Sequence, residues 1–271
     1  MDFIKAIRSS WESKNSLLCV GLDPDFNKIP PHILKMDMPI FQFNRAIVDS
    51  TSDLVCAYKP QIAFYSASKA EGQLEMTIDY IHANHPGIPV ILDAKRGDIG
   101  STANMYAKEA FERYQADAVT VNPYMGGDTL YPFLKHKDKG VIILCRTSNP
   151  GARDIQDLES DGEKIYRIIA AKASTEWNYN GNVTLVVGAT YPDELKEIRD
   201  LVGDMPLLVP GIGAQGGDVK KAVINGRDSK GAGMIINSSR GIIYASSEKD
   251  FANAARNAAM NLRDEINLYR Y

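Results

Sequence analysis

Long apolar runs are missing from this chain. Among its 271 residues no uninterrupted apolar stretch exceeds about six, against the roughly 20 that a membrane-crossing helix requires. No membrane partner is therefore expected. The N-terminal MDFIKAIRSSWESK sets charges among its apolar residues at helical spacing and has no signal-peptide core. Cysteine is scarce. Cys19, Cys56 and Cys145 form no CxxC and cannot all pair, so a disulfide scaffold is not expected. Each lies in an apolar run, where a thiol packs as a small hydrophobe. A positive excess is absent too: 31 Lys and Arg stand against 34 Asp and Glu, a formal charge of −3. No basic field is available to grip nucleic acid. HExxH, DxDxDG and GxSxG are also missing, which removes the usual motif-borne metal and serine chemistry. What remains has an ordinary globular balance, 44% hydrophobic and 24% charged. No low-complexity stretch or Pro/Gly/Ser-rich linker divides it. The expectation is a soluble, cytoplasmic protein with one domain over residues 1–271.

Short apolar, β-branched runs recur along the whole length. They are Leu17–Leu22, Leu54–Tyr58, Pro89–Leu92, Ala118–Val121, Val141–Cys145, Val183–Gly188, Pro206–Val209 and Ala232–Ile236. None alternates in polarity, which suits strands buried on both faces of a parallel sheet. Amphipathic segments separate them, among them Asn44–Ser52, Gly72–Asn84, Thr102–Tyr114, Gly162–Trp177, Pro192–Leu201, Asp218–Asn225 and Glu248–Leu268, with a shorter one after Gly127. Eight strand-then-helix units predict a (β/α)8 TIM barrel. An open doubly wound sheet is the competitor, but it would carry GxGxxG after strand one, where this chain has Gly21-Leu22-Asp23-Pro24. The irregular segment Thr147–Gly162 is long for a βα loop and follows strand five, on the face where barrels build active sites. It reads as a lid, with a tolerated surface insertion as the plainer alternative.

The densest polar cluster, Asp93-Ala94-Lys95-Arg96-Gly97-Asp98, ends strand three. Side chains alternate along a strand, so Asp93 and Lys95 should both face the barrel mouth. Opposite charges there cost desolvation unless they pair, and each favours the other's ionised form. A buried ion pair closing the barrel top would satisfy the same pattern, but at the C-terminal face catalysis explains it better. Lys59 ends strand two before a proline, Asp23 ends strand one and Asn122 ends strand four. The second half differs. Strand seven runs into PGIGAQGG, and strand eight into Asn237-Ser238-Ser239-Arg240-Gly241. Glycines let backbone N–H groups approach an anion, and loops seven and eight are the usual phosphate site of such barrels. Arg240 would add a bidentate clamp. His82 and His85, a helical turn apart before Pro86, could form half a metal site, but they also suit a helix C-terminus. Trp11 and Trp177 read as packing.

These residues resemble a known family. Asp93-x-Lys95-x-x-Asp98-Ile99-Gly100-x-Thr102 is similar to the signature of the orotidine 5′-phosphate decarboxylases, which make UMP from orotidine monophosphate. Asp23, Lys59, Ser148 before Asn149-Pro150-Gly151, Gln215 in GAQGG, and Arg240 follow in family order. Asn122-Pro123-Tyr124 and the long strand-five loop look like a divergent branch. The resemblance implies a homodimeric barrel without metal or organic cofactor. It implies a charged network of Lys59, Asp93, Lys95 and Asp98, with Asp98 and Thr102 reaching into the partner's site. It implies ribose binding by Asp23, pyrimidine binding by Ser148, and phosphate binding by Gln215, Arg240 and the Ser239 N–H.

The chemistry fits that implication. Loss of CO2 from C6 of the pyrimidine leaves an electron pair in an sp2 orbital that the ring π-system cannot absorb. A cation must stand at C6 and then supply a proton, and Lys95 can do both. The rival is a related phosphate-binding barrel, a metal-dependent sugar-phosphate decarboxylase or aldolase, which shares Asp-x-Lys-x-x-Asp. Ser148-Asn-Pro-Gly and GAQGG favour the pyrimidine enzyme. A silent nucleotide-phosphate binding module would need no lysine–aspartate network.

Overall fold

The computed structural model describes residues 2–212 and 218–271. Eight parallel strands form the centre: β1 Leu18–Leu22, β2 Ala57–Pro60, β3 Ile91–Arg96, β4 Ala118–Val121, β5 Gly140–Arg146, β6 Val183–Val187, β7 Leu207–Pro210 and β8 Met234–Ser238. The ladder runs β2-β1-β8-β7-β6-β5-β4-β3. Its two ends meet through parallel bridges between Tyr58 and Val90 and between Gln61 and Asp93. Every strand therefore lies beside its sequence neighbours, and the sheet closes into the TIM barrel that the eight repeats predict.

Closure follows from what the strands carry. β1, β4 and β6 are buried at every position. Each fully buried Leu, Ile or Val contributes about 1.5–3 kcal/mol, which offsets the cost of keeping charges at one end of the same barrel. Helices Pro39–Thr51, Glu71–Asn84, Gly127–Leu134, Pro192–Val202, Val219–Gly226 and Phe251–Asn267 form the outer ring. The two remaining expected helices are compound: Gly100–Lys108 and Ile165–Lys172 each end in a five-residue π-turn.

The boundaries move at two strands. The apolar run expected as strand two begins three residues before the ladder does: Leu54, Val55 and Cys56 are buried but precede β2. Strand three extends further, because Asp93 bridges to Gln61 on one side and pairing with β4 resumes at Arg96 on the other. An additional helix, Phe3–Ser13, buries Phe3, Ile7 and Trp11 and seals the bottom of the barrel. Gly140 at the start of β5 permits this: a Cβ there would sit 2.2 Å from the Phe3 ring.

Candidate active site

The strand C-termini surround a cavity of about 450 Å³. One wall is polar, built from Asp23, Lys59, Asp93, Lys95 and Thr120; the facing wall is apolar, built from Leu144, Val186, Leu208 and Ile212. Thr147, Ser148 and Asn149 border it from the β5 loop, and Ser238, Ser239 and Arg240 from β8.

Asp93 is the hub of the polar wall. Its Oδ2 accepts from Lys59 Nζ at 2.8 Å and its Oδ1 from Lys95 Nζ at 2.7 Å. The two lysines differ in exposure. The Lys59 side chain is 4% exposed, whereas that of Lys95 is 47% exposed and faces the open cavity. Burial alone would raise the Asp93 carboxyl, but the two ammonium groups outweigh it and hold it well below the usual carboxylate range. Burial alone would likewise lower Lys59, and Asp93 with Asp23 reverses this, holding it above the ordinary lysine value. Asp93 and Lys59 are thus both ionised at neutral pH. Buried ion pairs of this kind seldom add net stability, because desolvation costs several kcal/mol per ion. The trio's place at the barrel mouth points to chemistry instead.

Simple alternation does not bring Asp93 and Lys95 together. Leu92 pairs with Val119 and Arg96 with Val121, so β3 advances four residues while β4 advances two. The surplus forms a bulge in which Lys95 has φ +46°, a left-handed conformation that a lysine adopts only under constraint. Thr120 supports the bulge. Its Oγ1 accepts from the N–H groups of Ala94 at 3.0 Å and Lys95 at 2.9 Å, and donates to Asp93 Oδ1 at 2.9 Å. The sequence reading passed over Thr120, whose only signal is a lone hydroxyl within Ala-Val-Thr-Val.

Asp98 and Thr102 are not brought to this cavity within one chain. Asp98 Oδ1 accepts from the following N–H, that of Ile99, at 2.8 Å, and Thr102 is exposed on the helix Gly100–Lys108. The segment is firmly held: Arg96 pairs in bidentate fashion with Glu109, at 2.9 and 3.0 Å, and stacks on Tyr106.

Asp23 and Arg240 do border the cavity, as do Ser148 and Ser239. Oδ1 of Asp23 is buried without a hydrogen-bond partner among the described residues, as is Oδ1 of Asn237, a residue that its place after strand eight marked but to which no role was given. The Arg240 guanidinium is exposed and makes no ion pair among the described residues. Gln215 lies outside the described residues. The long loop after β5 carries its own short elements: a 3-10 turn Pro150–Ala152, a helical turn Arg153–Gln156 and a hairpin pairing Glu159–Ser160 with Glu163–Lys164. Arg146, fully buried at the end of β5, anchors it by pairing with Asp157 at 3.0 Å and Glu194 at 3.1 Å. Gln156 closes the base, accepting from the Thr147 N–H and donating to its hydroxyl.

The remaining groups turn away from such chemistry. His82 meets Asp117 and His85 meets Asp49, each at 3.0 Å, so the two imidazoles do not converge. No group of three His, Cys, Asp or Glu side chains is arranged to hold a metal ion among the described residues. All three cysteines are buried, and burial pushes the Cys19 thiol up to about 12. No described helix is long and apolar enough to cross a membrane.

Comparison with known proteins gives the family and agrees with the fold. Residues 16–256 match the family model of the orotidine 5′-phosphate decarboxylase / HUMPS family. The chain is 59% identical over 270 residues to the orotidine 5′-phosphate decarboxylase of Ralstonia pickettii (strain 12J), covering 100% of both chains. Among solved structures it resembles Leishmania donovani OMP decarboxylase, with a TM-score of 0.87, 40% identity, and coverage of 100% of this chain and 99% of that one. It resembles Leishmania donovani UMP synthase with a TM-score of 0.89 and 40% identity; there it spans all of its own length and 57% of the synthase chain. The chain belongs to the orotidine 5′-phosphate decarboxylase / HUMPS family.

Proposed function

We propose that this family member removes CO2 from orotidine 5′-monophosphate to give UMP, a step of pyrimidine synthesis. The observation that carries the reading is the Lys59–Asp93–Lys95 trio at the mouth of the barrel, with Lys95 turned to the cavity. A nucleotide would lie with its pyrimidine along the apolar wall. Its phosphate would lie toward Arg240 and the Ser239 N–H, with Gln215 as a further donor and Ser148 at the ring. Asp23 Oδ1, buried and without a partner among the described residues, suits a ribose hydroxyl as donor.

In the reaction the C6–CO2 bond breaks and its electron pair stays on C6. The Lys95 ammonium stands there as that charge develops, then forms the new C6–H bond by giving up a proton. Its position is set before substrate arrives, because Asp93 fixes the ammonium and Lys59 fixes Asp93. Distant phosphate binding can supply the energy that closes the β5 loop and excludes water. No step requires a metal or an organic cofactor.

The reading extends to a homodimer with shared sites, in which Asp98 and Thr102 complete the partner's network. Large apolar side chains are exposed on the same segment and on the loop after β4: Ile99 is 61%, Met105 63% and Tyr124 82% exposed. A patch of this kind is what a subunit interface covers. We take residues 1–271 as one catalytic domain that works in the cytoplasm.

The direct test adds orotidine monophosphate to chelator-treated protein and follows the ultraviolet change to UMP. Steady conversion is expected. A well-folded, inactive protein would sink the reading, and activity restored only by a divalent cation would transfer it to the metal-dependent sugar-phosphate barrels.

A further inference from the structure

We propose that Thr120 is a positioning residue for decarboxylation, its single hydroxyl holding both the Lys95 backbone and the Asp93 carboxylate in their working places. The inference rests on the function proposed above and deepens it.

The two surplus residues of β3 lose their ladder partners on β4. Thr120 takes over: its oxygen accepts from the N–H groups of Ala94 and Lys95. A hydroxyl has two acceptor lone pairs and one proton. Both lone pairs are committed to the bulge, so the proton has one remaining direction, toward Asp93 Oδ1 at 2.9 Å. That oxygen is the one that holds the Lys95 ammonium. The backbone and the tip of Lys95 are therefore referenced to the same atom, Thr120 Oγ1, one directly and the other through Asp93. Thr120 is itself 1% exposed and sits on a fully buried strand, so it has no freedom to drift.

The φ of +46° at Lys95 gives the arrangement its purpose. A lysine relaxed out of the left-handed region would swing its side chain off the site. The two N–H bonds to Thr120 oppose that relaxation. Removing the hydroxyl should loosen the alignment of the ammonium with C6 and leave the phosphate and ribose contacts, on β1 and β8, as they are.

The test compares T120V, nearly isosteric but without the hydroxyl, with T120S, which keeps it. With orotidine monophosphate as substrate, T120V should lose about 10- to 100-fold in kcat, the worth of a hydrogen bond to a charged group. Its UMP dissociation constant should stay within about threefold of the unmodified chain. T120S should recover most of the lost turnover. T120C retains the volume but offers a poor acceptor, and it should fall between the two, so the ranking survives even if T120V does not fold. A folded T120V with undiminished kcat, or a T120S as impaired as T120V, overturns the assignment. So does a T120V whose UMP affinity falls as far as its kcat. Absence of conversion by the unmodified chain overturns the decarboxylase reading itself, and this assignment with it.

Discussion

The two sides of the barrel mouth are built on opposite plans. Between β2 and β4 the charges are satisfied within the chain: two ammonium groups and a hydroxyl converge on one carboxylate, all within 2.9 Å. Around β8 polar groups are left open. Arg240 makes no ion pair among the described residues, and the Asn237 Oδ1 is buried without a partner there. The first side is preorganised, carrying its final electrostatics before substrate binds. In the proposed function the second would be completed by the ligand, whose binding energy can then be used to drive closure. Chemistry and affinity should therefore come apart when each side is damaged.

The largest separation is expected at Lys95. Lys95→Ala removes the cation and the proton donor together, so kcat should fall by about 10³-fold or more. UMP binding should remain measurable by calorimetry, because the β8 side is intact. Near-normal turnover would refute the role. Lys95→Ala also supplies one half of a test for the shared site. Asp98→Ala should be nearly inactive alone. If Asp98 serves the partner, mixing the two variants gives heterodimers in which one site carries both lesions and the other neither. Random reassociation makes about half the dimers mixed, so about a quarter of all sites become intact. Activity should climb toward that fraction. No recovery, with subunit exchange confirmed separately, would mean that Asp98 serves its own chain.

Damage to the other side should read differently. Arg240→Ala deletes a charge-assisted clamp on a dianion, and KM should rise about 10- to 100-fold. Part of the loss should reach kcat, since less binding energy is left to close the loop. An unchanged KM would place the phosphate elsewhere.

The two sides also differed in how far the sequence exposed them. The barrel was legible because runs such as Val141–Cys145 are apolar at every position, a pattern that a doubly covered strand sustains. Lys59, Asp93 and Lys95 were legible as charges ending such runs. Plain alternation does not by itself bring Asp93 and Lys95 together, because a bulge intervenes and no local sequence signal marks it. Thr120 was hidden because threonine is an ordinary strand former and looks like packing. Arg146 was hidden for another reason: Glu194, its partner across the β5 loop, lies 48 residues away. Pairings at that separation belong to the topology and not to local pattern. Leu54–Cys56 shows the converse error, an apolar run read as strand when only burial was encoded.

The mildest expected effect tests whether the two sides can be disturbed independently. Gly21 lies on β1, beside β8, and a Cβ there would fall 1.8 Å from the Ser239 Oγ and 2.9 Å from its Cβ. Gly21→Ala must push Ser239 aside, and with it the N–H next to Arg240. The three heavy atoms nearest this Cβ all belong to Ser239 and Asn237, on the β8 side. KM should therefore rise, by about three- to tenfold, with kcat less affected. The clash defines its own remedy. Ser239→Gly deletes both colliding atoms and should cost little alone, since it is the backbone N–H that is assigned to the phosphate. In the double variant the remaining neighbour, Asn237 Oδ1 at 3.2 Å, needs to yield only slightly. The pair should be strongly non-additive, with the double variant close to Ser239→Gly and better than Gly21→Ala. Additive losses would mean that the Ser239 side chain itself binds substrate. A kcat-dominated loss in Gly21→Ala would mean that the two sides of the mouth are mechanically coupled through β1.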